Sequence, residues 1–228
     1  MTFGNLPYDV AHVLGGAMLL ISFVLIYQRR TAALVNALAL QGVLLAAAAF
    51  WQGFVQEAPQ LYVTGLIALG AKGVAIPIYL RRMMSRLAPA QRAEAASGIG
   101  ASMLGGFLLV GLAILVVLPA TTGARALARE DLAIALSIVL LGMLLMVTRR
   151  TALAQIAGLM TLENGLVLAA IGVTGMPLVV ELSGGGLVLV IAVVAGVFAR
   201  VLREDFDSED TSVLDPHRGE APPRSGRL

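Results

Sequence analysis

Three ionisable side chains, Glu163, Lys72 and Glu181, interrupt long apolar stretches of this sequence. Removing a charge from water costs free energy unless the charge is paired or neutralised, so each of them requires an explanation. A desolvated carboxyl group holds its proton more firmly, and a nearby cation favours its release. Glu163 beside a cation could therefore bind and release a proton near neutral pH, as a proton relay requires. The alternative is a carboxylate that only hydrogen-bonds a neighbouring helix.

The apolar stretches around these residues are long enough to cross a membrane. Of the 228 residues, 58% are hydrophobic and 13% are charged, against about 25% charged residues in soluble domains. A helix needs roughly 20 apolar residues to cross the hydrocarbon core. We therefore expect an all-α membrane bundle of about seven helices, with spans at residues 10–28, 31–51, 60–80, 99–118, 132–148, 151–173 and 178–202. Residues 1–203 would form one transmembrane domain, and the acidic, proline-containing tail 204–228 is expected to be disordered.

Spacing along the helices gives the depth of the two interior charges. Glu163 is thirteen residues from Arg150, which corresponds to about 20 Å along a helix. Lys72 is nine residues from Arg81, or about 13 Å. The difference is about one side-chain length, so we expect the two groups to pair or each to line a wet cavity. Glu181 lies near the start of its span, where an interfacial position and a second functional site are both open.

Arginines follow every second predicted span. They occur at residues 29–30, 81–92, 149–150 and 200–203, which seven crossings would place on one side. The positive-inside rule makes that side cytoplasmic, with the N-terminus outside and the C-terminus in the cytoplasm. Because these arginines bracket apolar stretches, they do not indicate a nucleic-acid-binding surface. The first span has no basic segment before it and no clear cleavage site, so we interpret it as a retained helix.

Uncharged polar residues could support Glu163. Asn164, Gln155 and Gln41 each fit a hydrogen bond between helices, and together they could hold water near the carboxylate. The chain has no cysteine and two histidines, which excludes thiolate metal sites and cysteine-ligated iron–sulfur clusters. His12 at the start of a span is interpreted as an interfacial residue. We expect no bound metal, no cofactor and no catalytic nucleophile–base set.

Two parts of the chain resemble each other. Arg29-Arg30-Thr31-Ala32 opens the second span, and Arg149-Arg150-Thr151-Ala152 opens the sixth. Gln41 then occupies the position that corresponds to Glu163, with a small offset. This pattern predicts two parallel three-helix repeats joined by a linker helix, an arrangement known in transporters. The other explanation is that helices rich in alanine and leucine always look alike.

The segment from Arg149 to Leu153, followed by the segment from Gly158 to Leu166, resembles a known family. It is similar to hydrogenase-4 component E, the membrane subunit of formate hydrogenlyase and group 4 hydrogenases. The last three predicted helices are similar to subunit K of NADH–quinone oxidoreductase and to the MrpC component of Mrp cation/proton antiporters. The specific part is short and centres on Leu162-Glu163-Asn164-Gly165.

The resemblance implies a non-catalytic membrane-arm subunit in a bacterial inner membrane, packed against antiporter-like subunits. It assigns to Glu163 a place in a chain of buried charges. Our own interpretation adds Lys72 as the modulator of Glu163. Subunit K carries a second glutamate well inside the membrane, and the only acidic candidate here, Glu181, lies too near a helix start to match it. The alternatives are a stand-alone secondary transporter and a structural membrane scaffold.

Overall fold

A computed structural model describes residues 6–86, 98–121 and 126–172 of the chain. This part is nearly all helical and contains no strand, which confirms the predicted all-α class. The helices are α1 (Leu6–Tyr27), α2 (Thr31–Val55), α3 (Pro59–Ile67), α4 (Ile76–Arg86), α5 (Ile99–Ala120), α6 (Ala126–Thr148) and α7 (Ala152–Ile171). A π-helical segment, Ala68–Ala75, joins α3 to α4, so these three elements form one continuous span.

Six helices in the described part are long and apolar enough to cross a membrane. They are Asp9–Tyr27, Thr31–Val55, Pro59–Arg82, Ile99–Pro119, Glu130–Thr148 and Leu153–Ile171, each within a few residues of a predicted span. The predicted seventh span, with Glu181, and the tail 204–228 lie outside the described residues. The proposed repeat stays a prediction, because its last helix is in that part of the chain.

α2 and α6 are the centres of the packing. α2 contacts α1, α3, the π-helical segment, α4 and α7, whereas α6 contacts α1, α5 and α7. α5 packs along one side, against α6 and α1, and most of its large apolar side chains are exposed. Such a helix is stable in contact with lipid, where the solvent itself is apolar.

Glycines bring α6 and α7 into backbone contact. A Cβ atom on Gly158 would lie 2.8 Å from the amide nitrogen of Met146 and 2.9 Å from the carbonyl oxygen of Gly142. A Cβ atom on Gly165 would lie 2.8 Å from the amide nitrogen of Val139. Small residues at these positions allow helices to approach closely, as they do in membrane bundles. The contact fixes the face of α7 that points into the protein.

At the end of the bundle that carries the arginines, Arg149 is buried and ties two helix ends together. Its Nη2 donates to the carbonyl oxygen of Ile26 and, at 2.9 Å, to that of Gln28. These carbonyls lie at and just after the C-terminus of α1, where carbonyl oxygens have no N–H donor within the helix. Burial lowers the pKa of the Arg149 guanidinium, and the neighbouring charge of Arg29 lowers it further. The two hydrogen bonds offset part of that desolvation cost.

Candidate functional site

Lys72 and Glu163 form a buried ion pair. The Nζ atom of Lys72 lies 2.9 Å from Oε1 of Glu163, and the two side chains are only 6% and 9% exposed. Lys72 comes from the π-helical segment and Glu163 from the middle of α7. The depth estimate from the sequence predicted either pairing or separate wet cavities, and the structure shows pairing.

The local backbone explains how Lys72 reaches its partner. Pro77 has no N–H group, and in a regular α-helix its ring would collide with the carbonyl group of Gly73. The turn before it is widened: the amide of Ile76 bonds to the carbonyl oxygen of Ala71, five residues back. A π-helical turn rotates the following side chains relative to an α-helix and is frequent at functional sites. Here the widened segment carries Lys72 at its centre.

α2 lies directly against this segment at Gly42. A Cβ atom on Gly42 would lie 2.7 Å from the carbonyl carbon of Lys72 and 2.9 Å from its oxygen. Main-chain atoms cannot move aside as the end of a flexible side chain can, so only glycine fits this contact. The position of the Lys72 backbone therefore depends on the missing side chain of Gly42.

A second set of polar groups continues from Glu163 towards α1. Nδ2 of Asn164 donates to Oε1 of Gln41 at 3.1 Å, and Nε2 of Gln41 donates to Oγ of Ser22 at 2.9 Å. The hydroxyl of Ser22 in turn donates to the carbonyl oxygen of Met18 at 2.9 Å. Asn164, Gln41 and Ser22 are almost completely buried. This series of hydrogen bonds thus links α7, α2 and α1.

These five residues form a polar layer between two apolar cores. The layer consists of Ser22, Gln41, Lys72, Glu163 and Asn164. The core on the arginine side includes Leu25, Leu38, Ile76 and Met160, and the other core includes Met18, Leu45, Ala68 and Val167. Along α1, α2, α7 and the span that contains the π-helical segment, the layer residues lie between a member of one core and a member of the other.

The layer has unused hydrogen-bonding capacity among the described residues. Within these, no donor reaches Oε2 of Glu163 or Oδ1 of Asn164. An ionised carboxylate has about four lone-pair positions, and Lys72 occupies one side of it. The carboxylate of Glu163 can therefore accept a proton on Oε2 without first leaving the ion pair.

The comparisons with known proteins identify a relative. The uncharacterized protein Rv0085 of Mycobacterium tuberculosis (strain ATCC 25618 / H37Rv) is 31% identical over 203 residues, which cover 87% of this chain and 91% of the relative. The chain belongs to the family of that protein. No family model matches the chain, and no solved structure matches it. Since the relative is uncharacterized, function must be argued from the site.

The structure separates the predicted support residues. Gln41 and Asn164 join the polar layer, but Gln155 does not, because its Nε2 donates to the carbonyl oxygen of Arg149 at 3.1 Å near the arginine end. Ser22 is a layer residue that the sequence did not single out. In the sequence, Ser22 is a single serine between apolar residues of α1. One serine in a membrane helix is too weak a signal to identify a layer residue.

A second charged cluster lies at the opposite end of the bundle. Nε2 of His12 lies 2.9 Å from Oε2 of Glu130, and Nδ1 of His12 lies 2.8 Å from Oδ1 of Asp131. The position agrees with the interfacial interpretation of His12, whose partners on α6 the sequence did not reveal. Among the described residues, no group of three or more His, Cys, Asp or Glu side chains could hold a metal ion.

Proposed function

We propose that this chain is a membrane-arm subunit of a complex-I-like assembly, of the group 4 hydrogenase type or a related one. In that assembly it takes part in proton or cation translocation coupled to redox chemistry. Glu163 is the buried relay carboxylate, and Lys72 controls its charge. The observation that carries the proposal is the 2.9 Å contact between Lys72 and Glu163 inside the polar layer.

The ion pair gives the relay a physical mechanism. A proton that reaches Glu163 neutralises the carboxylate and leaves the ammonium group of Lys72 without its counter-charge in an apolar interior. A single uncompensated buried charge costs about 3–5 kcal/mol, so protonation of Glu163 favours a rearrangement of Lys72 or the release of its own proton. In this way a proton on Glu163 changes the charge state or the position of Lys72.

The polar layer supports a role for more than one helix in this step. Asn164, the chain neighbour of Glu163 in α7, is linked to Ser22 of α1 through Gln41. Because every donor in this series of hydrogen bonds has a defined acceptor, a movement of α7 that displaces Glu163 also strains the contacts to α2 and α1. A membrane-arm subunit needs such coupling if charge movement is to pass from one partner subunit to another.

The same proposal includes partners and orientation. The partners are antiporter-like membrane subunits, and the redox centres belong to other subunits, since this chain has no cysteine. The arginines at residues 29–30 and 149–150 follow α1 and α6, and those at residues 81–82 lie in the second half of α4. The positive-inside rule makes that end cytoplasmic. The N-terminus is then outside, in a bacterial inner membrane.

Purification tests the subunit assignment. The tagged full chain is isolated from native membranes in a mild detergent, and the co-purifying proteins are identified by mass spectrometry. We expect larger antiporter-like membrane chains to co-purify together with a redox module. A chain that purifies alone and moves ions by itself in liposomes would instead be a secondary transporter.

A structural scaffold is the second candidate, because the polar layer also holds four elements in register. Glu163→Gln distinguishes the two. In a relay the assembled fraction of the variant has lost proton translocation, whereas in a scaffold the amount of assembly falls but the assembled fraction translocates protons normally.

A further inference from the structure

Arg81 and Asn36 form an exposed polar contact within the length of two membrane-spanning helices. Nη2 of Arg81 donates to Oδ1 of Asn36 at 2.6 Å. Asn36 lies between apolar residues of α2, six residues after Arg30, which corresponds to about 9 Å along the helix. Both side chains are exposed, and neither belongs to the polar layer. Packing within the bundle therefore does not account for this pair.

The same two helices expose apolar side chains beside this contact. Four of them are between 41% and 49% exposed, namely Leu40, Val43, Val74 and Ile78. Spacings of three and four residues keep Leu40 and Val43 on the side of α2 that carries Asn36. The same spacings keep Val74 and Ile78 on the side of their span that carries Arg81. A Cβ atom on Gly73 would lie 3.4 Å from Cγ2 of Val43, so the two helices also adjoin at that level.

These six residues form one continuous surface, which we call the α2–α4 face. It consists of Asn36, Leu40, Val43, Val74, Ile78 and Arg81. Its polar end lies at the arginine end of the bundle, and its apolar part extends from there towards the level of Lys72. A surface with one cationic end and an apolar strip has the same polarity pattern as the outer part of a bilayer leaflet.

The arginine end is rich in positive charge. Arginines at residues 29–30, 81–82 and 149–150 lie there. The acidic residues of the described chain lie elsewhere, with Glu163 in the polar layer and the others, Asp9, Glu57, Glu130 and Asp131, near the opposite end. Basic residues at the membrane surface attract anionic lipids. An anionic group beside Arg81 is therefore stabilised by more than one cation.

The donors at the polar end suit a phosphate group. A guanidinium has five N–H donors, and Asn36 accepts from only one nitrogen of Arg81. The remaining donors can bind phosphate oxygens, which is a strong, charge-assisted interaction. The side-chain amide of Asn36 adds N–H donors next to them. A soluble anion or an acidic peptide would use these donors but not the apolar strip, whereas a phospholipid uses both.

We propose that the α2–α4 face binds an anionic phospholipid from the leaflet at the arginine end. Arg81 contacts the phosphate of the headgroup, and Asn36 holds the guanidinium in position. The acyl chains lie along the four apolar side chains. This site does not depend on the relay role of Glu163, so the two proposals stand or fall separately.

Photo-crosslinking of the full chain in lipid nanodiscs tests the site. The discs contain equal parts of phosphatidylglycerol and phosphatidylcholine, with a trace of one lipid that carries a diazirine on an acyl chain near the headgroup. We expect several-fold more labelling by the phosphatidylglycerol probe than by the phosphatidylcholine probe at residues 36–43 and 74–82. The exposed side of α5, which has no ionisable residue, should be labelled equally by both. Equal labelling of the α2–α4 face would overturn the proposal.

Two variants separate the effect of charge from that of folding. Arg81→Gln should lower the labelling ratio of the two probes about fivefold, the effect of one basic residue at an anionic surface. Asn36→Asp keeps an acceptor for Arg81 but adds a negative charge, so it should lower the ratio without lowering the melting temperature. Arg129→Gln, near the start of α6 at the opposite end, makes the same change of charge and should leave the ratio unaltered. A ratio that Arg81→Gln and Asn36→Asp both leave unchanged would contradict the proposal.

An acidic segment of the chain is the competing occupant of Arg81. Residues 204–210 contain five acidic side chains, namely Glu204, Asp205, Asp207, Glu209 and Asp210. A full-length variant with all five replaced by the corresponding amides tests this alternative. We expect it to show the same labelling ratio as the wild-type protein. A preference for phosphatidylglycerol that appears only in the amide variant would assign Arg81 to the acidic segment and overturn the lipid site.

Discussion

Gly42 of α2 touches the main chain of Lys72, and a Cβ atom at Gly42 would lie 2.7 Å from the Lys72 carbonyl carbon. Gly42→Ala should therefore displace the π-helical segment and move Nζ of Lys72 away from Glu163. We expect a loss of about 1–3 kcal/mol in stability, as for other overpacked cores. Crosslinking with a carbodiimide tests whether Lys72 and Glu163 are in contact. The reagent condenses a lysine amine with a contacting carboxylate to an amide, and one water is lost.

The chain suits this crosslink, since Lys72 is its only lysine. The wild-type protein should give a peptide pair joined at Lys72 and Glu163, and Gly42→Ala should reduce its yield several-fold. Gly70→Ala is the matched control, because a Cβ atom at Gly70 would meet nothing within 4 Å although it belongs to the same segment. An unchanged yield in Gly42→Ala would show that this contact does not position Lys72.

Removing one member of the ion pair should cost more than removing both. Lys72→Met leaves a buried carboxylate without its cation, and Glu163→Gln leaves a buried ammonium group without its anion. We expect each single variant to lose about 3–5 kcal/mol unless the remaining group changes its protonation state. The double variant should regain a large part of that loss. Denaturation of all four proteins in the same detergent measures the coupling, and strictly additive losses would mean that the two charges do not interact.

Gln41→Leu should destabilise the protein by leaving two buried groups without partners. The amide of Asn164 loses its acceptor and the hydroxyl oxygen of Ser22 loses its donor. A buried polar group without a partner costs about 1–3 kcal/mol. Gln60→Leu is the control, because Gln60 is exposed in the first turn of α3. Thermal unfolding monitored by circular dichroism should separate the two, and equal melting temperatures would argue against the polar layer as a stabilising network.

Arg149→Lys should fail to replace the arginine. The long guanidinium side chain brings one nitrogen, Nη2, to the carbonyl oxygens of Ile26 and Gln28 together, whereas the shorter side chain of lysine carries a strongly hydrated ammonium group. We expect a loss of about 1–3 kcal/mol and faster amide exchange in the last turn of α1. Arg29→Lys at an exposed position is the control. Similar exchange rates in both variants would contradict the role of Arg149 as a helix-end clamp.

Hydropathy predicts most of this fold because lipid imposes a simple rule on helix length. The described spans agree with it to within a few residues, and depth counting placed Lys72 and Glu163 within about one side-chain length of each other. Hydropathy does not predict which helix faces meet. For that reason we predicted from the sequence that Gln155 supports Glu163, although its side chain contacts Arg149 instead. For the same reason the sequence did not reveal the contacts of His12 with Glu130 and Asp131. The approach of Gly42 to Lys72 also depends on tertiary packing.

The central claim is that Glu163 carries a proton in the intact assembly. The most direct measurement is the number of protons moved per electron in membrane vesicles that contain the wild-type protein, Glu163→Gln or Glu57→Gln. Glu57 is an exposed glutamate in the turn after α2, so its variant controls for the chemical change itself. We expect the assembled fraction of Glu163→Gln to lose most of its proton translocation, while Glu57→Gln is unaffected. Normal translocation by a correctly assembled Glu163→Gln variant would contradict the central claim.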